Sequence, residues 1–101
     1  MNYDTDKLID IKDPFARRLI LQYVDRRKAD TDYLRSALVN GYFESIQVTG
    51  HNLSGSGSAY GLGRVSELGA SLEKAAKARN TAEISRLIDE LDNFVNGLRL
   101  S

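Results

Sequence analysis

Phe43-Glu44-Ser45-Ile46-Gln47-Val48-Thr49-Gly50-His51-Asn52-Leu53-Ser54-Gly55-Ser56-Gly57-Ser58-Ala59-Tyr60-Gly61 is the stretch on which the fold turns. Its second half has the composition of a linker, because glycine and serine are poor helix formers. Yet Phe43, Ile46, Gly50, Leu53, Gly57 and Tyr60 follow at steps of three and four, the seam of an amphipathic helix, and the seam passes through the glycines. A coil over 54–60 would discard that seam, so the spacing predicts helix at least to Gly57. Weak helix formers within a helix point to a need for small size, either for close packing or for something approaching from outside.

Helical periodicity continues on both sides. Asp13-Pro14 reads as an N-cap followed by proline at the first helical position. From Phe15 the apolar residues Leu19, Ile20, Tyr23 and Val24 keep helical spacing, and after a polar stretch Tyr33, Leu34, Ala37 and Leu38 resume it. Asp30-Thr31-Asp32 offers a cap for a second helix, but a single helix with a solvated middle needs no break and is preferred. Asn40-Gly41 ends it. Further on, Leu62, Val65, Leu68, Leu72, Ala75 and Ala76 make a third stripe, and Asn80-Thr81-Ala82-Glu83 resembles a capping box opening a fourth helix. In that helix Ile84, Leu87, Ile88, Leu91, Phe94, Val95 and Leu98 form one face and leave Glu83, Arg86, Asp89 and Glu90 to water. No run alternates with period two. The expected fold is all-α, an antiparallel four-helix bundle, with a short extra helix over residues 3–11 across one end.

Composition narrows the function classes. A chain of 101 residues with 42% apolar content holds one core, so residues 1–101 are expected to form a single domain. That leaves no room for a deep nucleotide cleft. Fourteen basic residues balance fourteen acidic ones, which favours neither nucleic acid nor an anionic membrane as partner. Zero cysteines and a single histidine exclude disulfides and structural zinc. The acidic start leads into no apolar run of signal or membrane length, so a cytoplasmic location is expected, and the glycosylation triplet Asn52-Leu53-Ser54 has no consequence there. Met1 favours a native start over a domain cut from a larger kinase.

On a wheel of 100° per residue His51 falls roughly 130° from the mean direction of its seam, which predicts an exposed ring. Gln47, Gly55 and Ser58 lie at its minus-four, plus-four and plus-seven positions, with Ser54 flanking at plus-three. An exposed histidine thus stands among small residues.

This run, Gly50-His51-Asn52-Leu53-Ser54-Gly55-Ser56-Gly57 leading to Leu68, Leu72 and Glu73, resembles the histidine phosphotransfer (HPt) domains of two-component phosphorelays. Their pattern is histidine, any residue, leucine, lysine, glycine and a small residue, with another glycine further on. In looser form the likeness extends from the proline-led first helix to the last. It implies a phosphoryl carrier with no ATP site, no cofactor and no metal of its own, which is not an autonomous enzyme. His51 would take a phosphoryl group on Nε2 from a receiver-domain aspartate and pass it to another receiver, since neutral imidazole is nucleophilic near pH 7. The implied partners are receiver (response regulator) domains and a hybrid sensor kinase, with the chain itself a monomer. Gln47, Ser54, Gly55 and Ser58 would form the contact patch, Gly55 leaving room for the receiver's active site. Glu73 stands where the family places the group that holds Nδ1–H; its bland alternative is a solvated residue paired with Lys77 at i+4.

Ser54 departs from the family, which has a lysine there. Loss of a charge-assisted contact to phosphate costs about 1.5–3 kcal/mol. Lys77, one turn after Glu73, is placed to supply the missing charge, with Lys74 or a lysine of the receiver as rivals. Two other readings stand beside the carrier: a non-phosphorylatable docking module that binds and regulates a receiver or kinase, and a purely structural bundle.

Overall fold

A computed structural model of the chain describes residues 8–9 and 12–100. Four helices carry the fold: α1 (Pro14–Val39), α2 (Phe43–Ser56), α3 (Gly63–Lys77) and α4 (Thr81–Asn96), with a 3₁₀ turn at Ser58–Tyr60 between α2 and α3. No helix among the described residues is long and apolar enough to cross a membrane. Two short strands, β1 (Leu8–Ile9) and β2 (Arg99–Leu100), pair in parallel. Most of the helix expected over residues 3–11 lies outside the described residues, and at Leu8–Ile9 the backbone is extended instead, because its polar groups bond β2.

The boundaries follow the chemistry of the chain. Asp13 caps α1, its carboxylate accepting from Phe15 N–H at 3.0 Å, and Pro14 fills the first position. The helix then runs unbroken through Asp30-Thr31-Asp32. Thr31 is buried there, and its hydroxyl donates to the Lys28 carbonyl at 2.8 Å, so the polar stretch is not wholly solvated. Gly41, at φ 73°, closes α1 with Tyr42 N–H on the Ala37 carbonyl at 2.8 Å and Gly41 N–H on that of Leu38 at 3.1 Å. Asn80 caps α4 by accepting from Glu83 N–H at 3.1 Å. The reciprocal half of the box is missing, since the Glu83 carboxylate turns to Arg86 at 2.7–2.8 Å and the Asn80 N–H bonds the Ala75 carbonyl.

One core joins the helices. Leu34 of α1, Ile46 and Leu53 of α2, Val65, Leu68 and Leu72 of α3, and Ile84, Leu87, Ile88, Leu91 and Val95 of α4 are all buried. Each buried aliphatic side chain contributes about 1.5–3 kcal/mol from loss of contact with water. The stripes read from the sequence are therefore the core, with exceptions. Phe15, Leu19 and Tyr33 are exposed, and Tyr60 stands at the surface in the 3₁₀ turn. The reason for the first two is length. The 26 residues of α1 span roughly 39 Å against 14–16 residues in each of the others, and no residue of α1 before Tyr23 is buried.

The closest helix contact is between α2 and α3. A Cβ at Gly57 would meet Ser66, one at Gly69 would meet the Ser54 amide, and one at Gly50 would meet Glu73, each at 2.5–2.6 Å. The partners descend α3 as they ascend α2, so this pair runs in opposite directions. Three glycines remove the side chains that would otherwise hold the two backbones apart.

Candidate functional site

That crossing sets the site. Gly50 lies against the backbone of Glu73, which brings the residue after Gly50 beside the Glu73 side chain. His51 Nδ1 stands 3.4 Å from Glu73 Oε1 and 3.3 Å from Oε2. A carboxylate only accepts, so in the neutral imidazole this contact favours the tautomer with the proton on Nδ1 and the lone pair on Nε2. The imidazole is 73% exposed while Glu73 is only 24% exposed, a carboxylate settled against the helix pair with the ring standing over it. Nε2 has no partner among the described residues.

Lys77 reaches the same carboxylate from one turn further along α3, with Nζ 3.8 Å from Glu73 Oε2. The expected i+4 pairing and the expected contact with His51 therefore coexist. Lys74 lies elsewhere, lining a depression with Asn80 and Glu83 on the α4 side of α3. Gln47 is half-buried and shares a shallow recess of about 350 Å³ with Val48, Lys77 and Arg79, one turn before His51. Helical side chains lean towards the N-terminus of their helix, so the ring of His51 leans over that recess.

The remaining expected residues divide. Gly55 is exposed, and a Cβ there would meet nothing within 4 Å, so its small size serves no internal packing. Ser54 is half-buried at the crossing, where its amide faces Gly69. Ser58 belongs to the 3₁₀ turn, and both its N–H and its hydroxyl donate to Ser66 Oγ, at 2.8 and 3.1 Å. It ties that turn to α3.

Three contributors escaped the sequence reading. Gly69 completes the crossing, Ser66 anchors the turn, and Val48, 55% exposed, adds an apolar contact one turn from His51. Gly69 left a trace, a glycine inside an otherwise leucine- and alanine-lined stripe four residues before Glu73.

Chemically the arrangement is a nucleophile or base with one nitrogen oriented by a carboxylate, a cation close by and the other nitrogen open to solvent. It sits on an open helical face, with the imidazole uncovered by any described residue. No family model, curated protein or solved structure matches the chain.

Proposed function

We propose that the chain is a phosphorelay intermediate, built as an antiparallel bundle, in which His51 carries a phosphoryl group between receiver domains. The observation that carries this reading is the exposed imidazole with Nδ1 turned to the half-buried carboxylate of Glu73. In the forward step the Nε2 lone pair forms the N–P bond as the P–O bond to the receiver's aspartate breaks, and the electron pair leaves with the aspartate as carboxylate. The Nδ1 proton stays towards Glu73, whose charge stabilises the cationic ring as it forms. In the return step the aspartate of a second receiver attacks phosphorus and the lone pair goes back to Nε2. Open Gly55 leaves space for the incoming active site, and the likeness to HPt domains supplies receivers and a hybrid sensor kinase as partners in the cytoplasm.

A second reading, a docking module that binds a receiver without taking phosphate, is favoured by Ser54, which brings no positive charge where the family has a lysine. Mixing the chain with a phosphorylated receiver separates the two. The carrier reading expects acid-labile, alkali-stable phosphate on the chain, abolished by His51→Gln with the melting temperature nearly unchanged, because an exposed side chain contributes little to packing. Label persisting in the variant would place the phosphate elsewhere, and receiver binding with no transfer would establish the docking module.

A further inference from the structure

Along α1, Phe15, Leu19, Gln22 and Arg26 advance by four, three and four residues and so share one helical face. That face stays outside the core. Phe15 is 67% exposed and Leu19 41%, although both are large apolar side chains. Beside it, between α1 and the C-terminal end of α2, lies a depression of about 360 Å³ lined by Leu19, Tyr23, Arg26, Arg27 and Tyr60. Its floor is fixed. The rings of Tyr23 and Tyr60 stack at 4.2 Å and 18°, the Tyr23 hydroxyl shares a hydrogen bond with Ser56 Oγ at 2.8 Å, and the Arg27 guanidinium lies 4.3 Å over the Tyr23 ring.

Charge identifies the occupant. From Asp13 to Asp30 the helix and its cap bear Arg17, Arg18, Arg26, Arg27 and Lys28 against Asp13, Asp25 and Asp30, a local excess of two in a chain of zero net charge. Arg27 is paired with Asp30 at 2.7 Å, whereas Arg18 and Arg26 form no ion pair with any described residue. A second copy offering the same face would set cations against cations. An anionic bilayer is a flat surface and would not fill a recess, whereas a side chain of a peptide would.

We propose that this face of α1 docks an acidic peptide segment, which seats one aromatic or branched aliphatic side chain between Leu19 and Tyr60 and sets its carboxylates beside Arg18 and Arg26. Ser56, beneath the recess, follows His51 by five residues and lies roughly 140° away around α2. The docking face is therefore on a different side from His51, and a segment bound there leaves the imidazole uncovered. The site holds a partner without competing with whatever reaches His51, and it does not depend on the phosphoryl reading.

The test titrates the isotope-labelled full chain with a short peptide of glutamates flanking a Phe-Leu pair, and with the same peptide carrying lysines. Saturable amide shifts are expected at Leu19, Gln22, Arg26 and Tyr60 with the acidic peptide only, weakening as salt is added. His51 should not move. Leu19→Ser, and the pair Arg18→Glu with Arg26→Glu, should each weaken binding about tenfold or more without lowering the melting temperature, since all three residues are exposed. Four results would overturn the proposal: no shifts, an equal response to the lysine peptide, shifts centred on Gln47 and His51, or binding to anionic vesicles in place of the peptide. Concentration-dependent shifts of the same amides without peptide would also overturn it, by making a second copy the occupant.

Discussion

Gly50→Ala probes the α2–α3 crossing and the site in one step. The new Cβ would stand 2.6 Å from Glu73 N and 2.7 Å from the Gly69 carbonyl oxygen, where ordinary contact begins at 3.4 Å. Both obstacles are backbone and cannot swing aside, so α3 must recede by roughly 0.8 Å. Overpacking of this kind costs about 1–3 kcal/mol, and the better helix propensity of alanine returns about 1, for a net loss of about 0–2 kcal/mol, towards the upper end because the obstacles are backbone. In a domain of this size each kcal/mol lowers Tm by about 4–8 °C. Glu73 recedes with its helix, which stretches the 3.3 Å contact to His51 past hydrogen-bonding reach. The variant should therefore lose stability and also transfer phosphate more slowly, with His51 intact. Gly55→Ala is the internal control: its Cβ meets nothing within 4 Å, so it should gain about 0.5–1 kcal/mol from propensity alone. Thermal and urea denaturation followed by circular dichroism read both effects. Equal shifts in the two variants, or a stabilised Gly50→Ala, would refute the close crossing.

Ser54→Lys should lengthen the lifetime of phosphohistidine if the missing charge limits transfer; Lys77→Ala should then slow transfer and be rescued by adding Ser54→Lys, a coupling read from a double-mutant cycle. Rates indifferent to both changes would leave the positive charge to the receiver. Half-burial of Asp30 raises its carboxyl above the usual range, outweighing the lowering effect of Arg27. Because the folded pKa exceeds the unfolded one, the stability linked to this group is present below 3.8 and lost as pH rises through the raised value. Asp30→Asn should thus gain on the parent at neutral pH relative to strongly acidic pH in denaturant titrations, and a pH-independent difference would contradict this. Asn80→Ala removes the cap bond to Glu83 and should cost about 1 kcal/mol by thermal denaturation; no change would mean that the cap is redundant.

Periodicity carried the fold well. The stripes of α3 and α4 are the core almost residue for residue, because each apolar side chain there has a facing helix to bury it. The wheel put the ring of His51 outside for the same reason, and the glycine-rich run is helix to Ser56 because its seam is real. Periodicity describes one helix at a time, however, and it cannot say which residues of two helices meet. That Gly50, Gly57 and Gly69 share a crossing was therefore hidden, as was the bond of Ser58 to Ser66. Tyr60 shows the opposite failure. It fits the α2 seam by spacing, but the helix ends before it, and its ring stacks on Tyr23 at the surface.

The stacked phenols of Tyr23 and Tyr60 also make the molecule its own optical reporter. The chain has five tyrosines and no tryptophan, and Tyr23 is the buried tyrosine among the described residues. Two rings 4.2 Å apart, held by an interhelical hydroxyl bond and covered by a guanidinium, give a coupled near-ultraviolet band whose sign and intensity depend on their mutual orientation. Separation of α1 from α2 would erase that band while the far-ultraviolet helix signal persisted. The union of these two helices can thus be timed in unlabelled protein, independently of their folding.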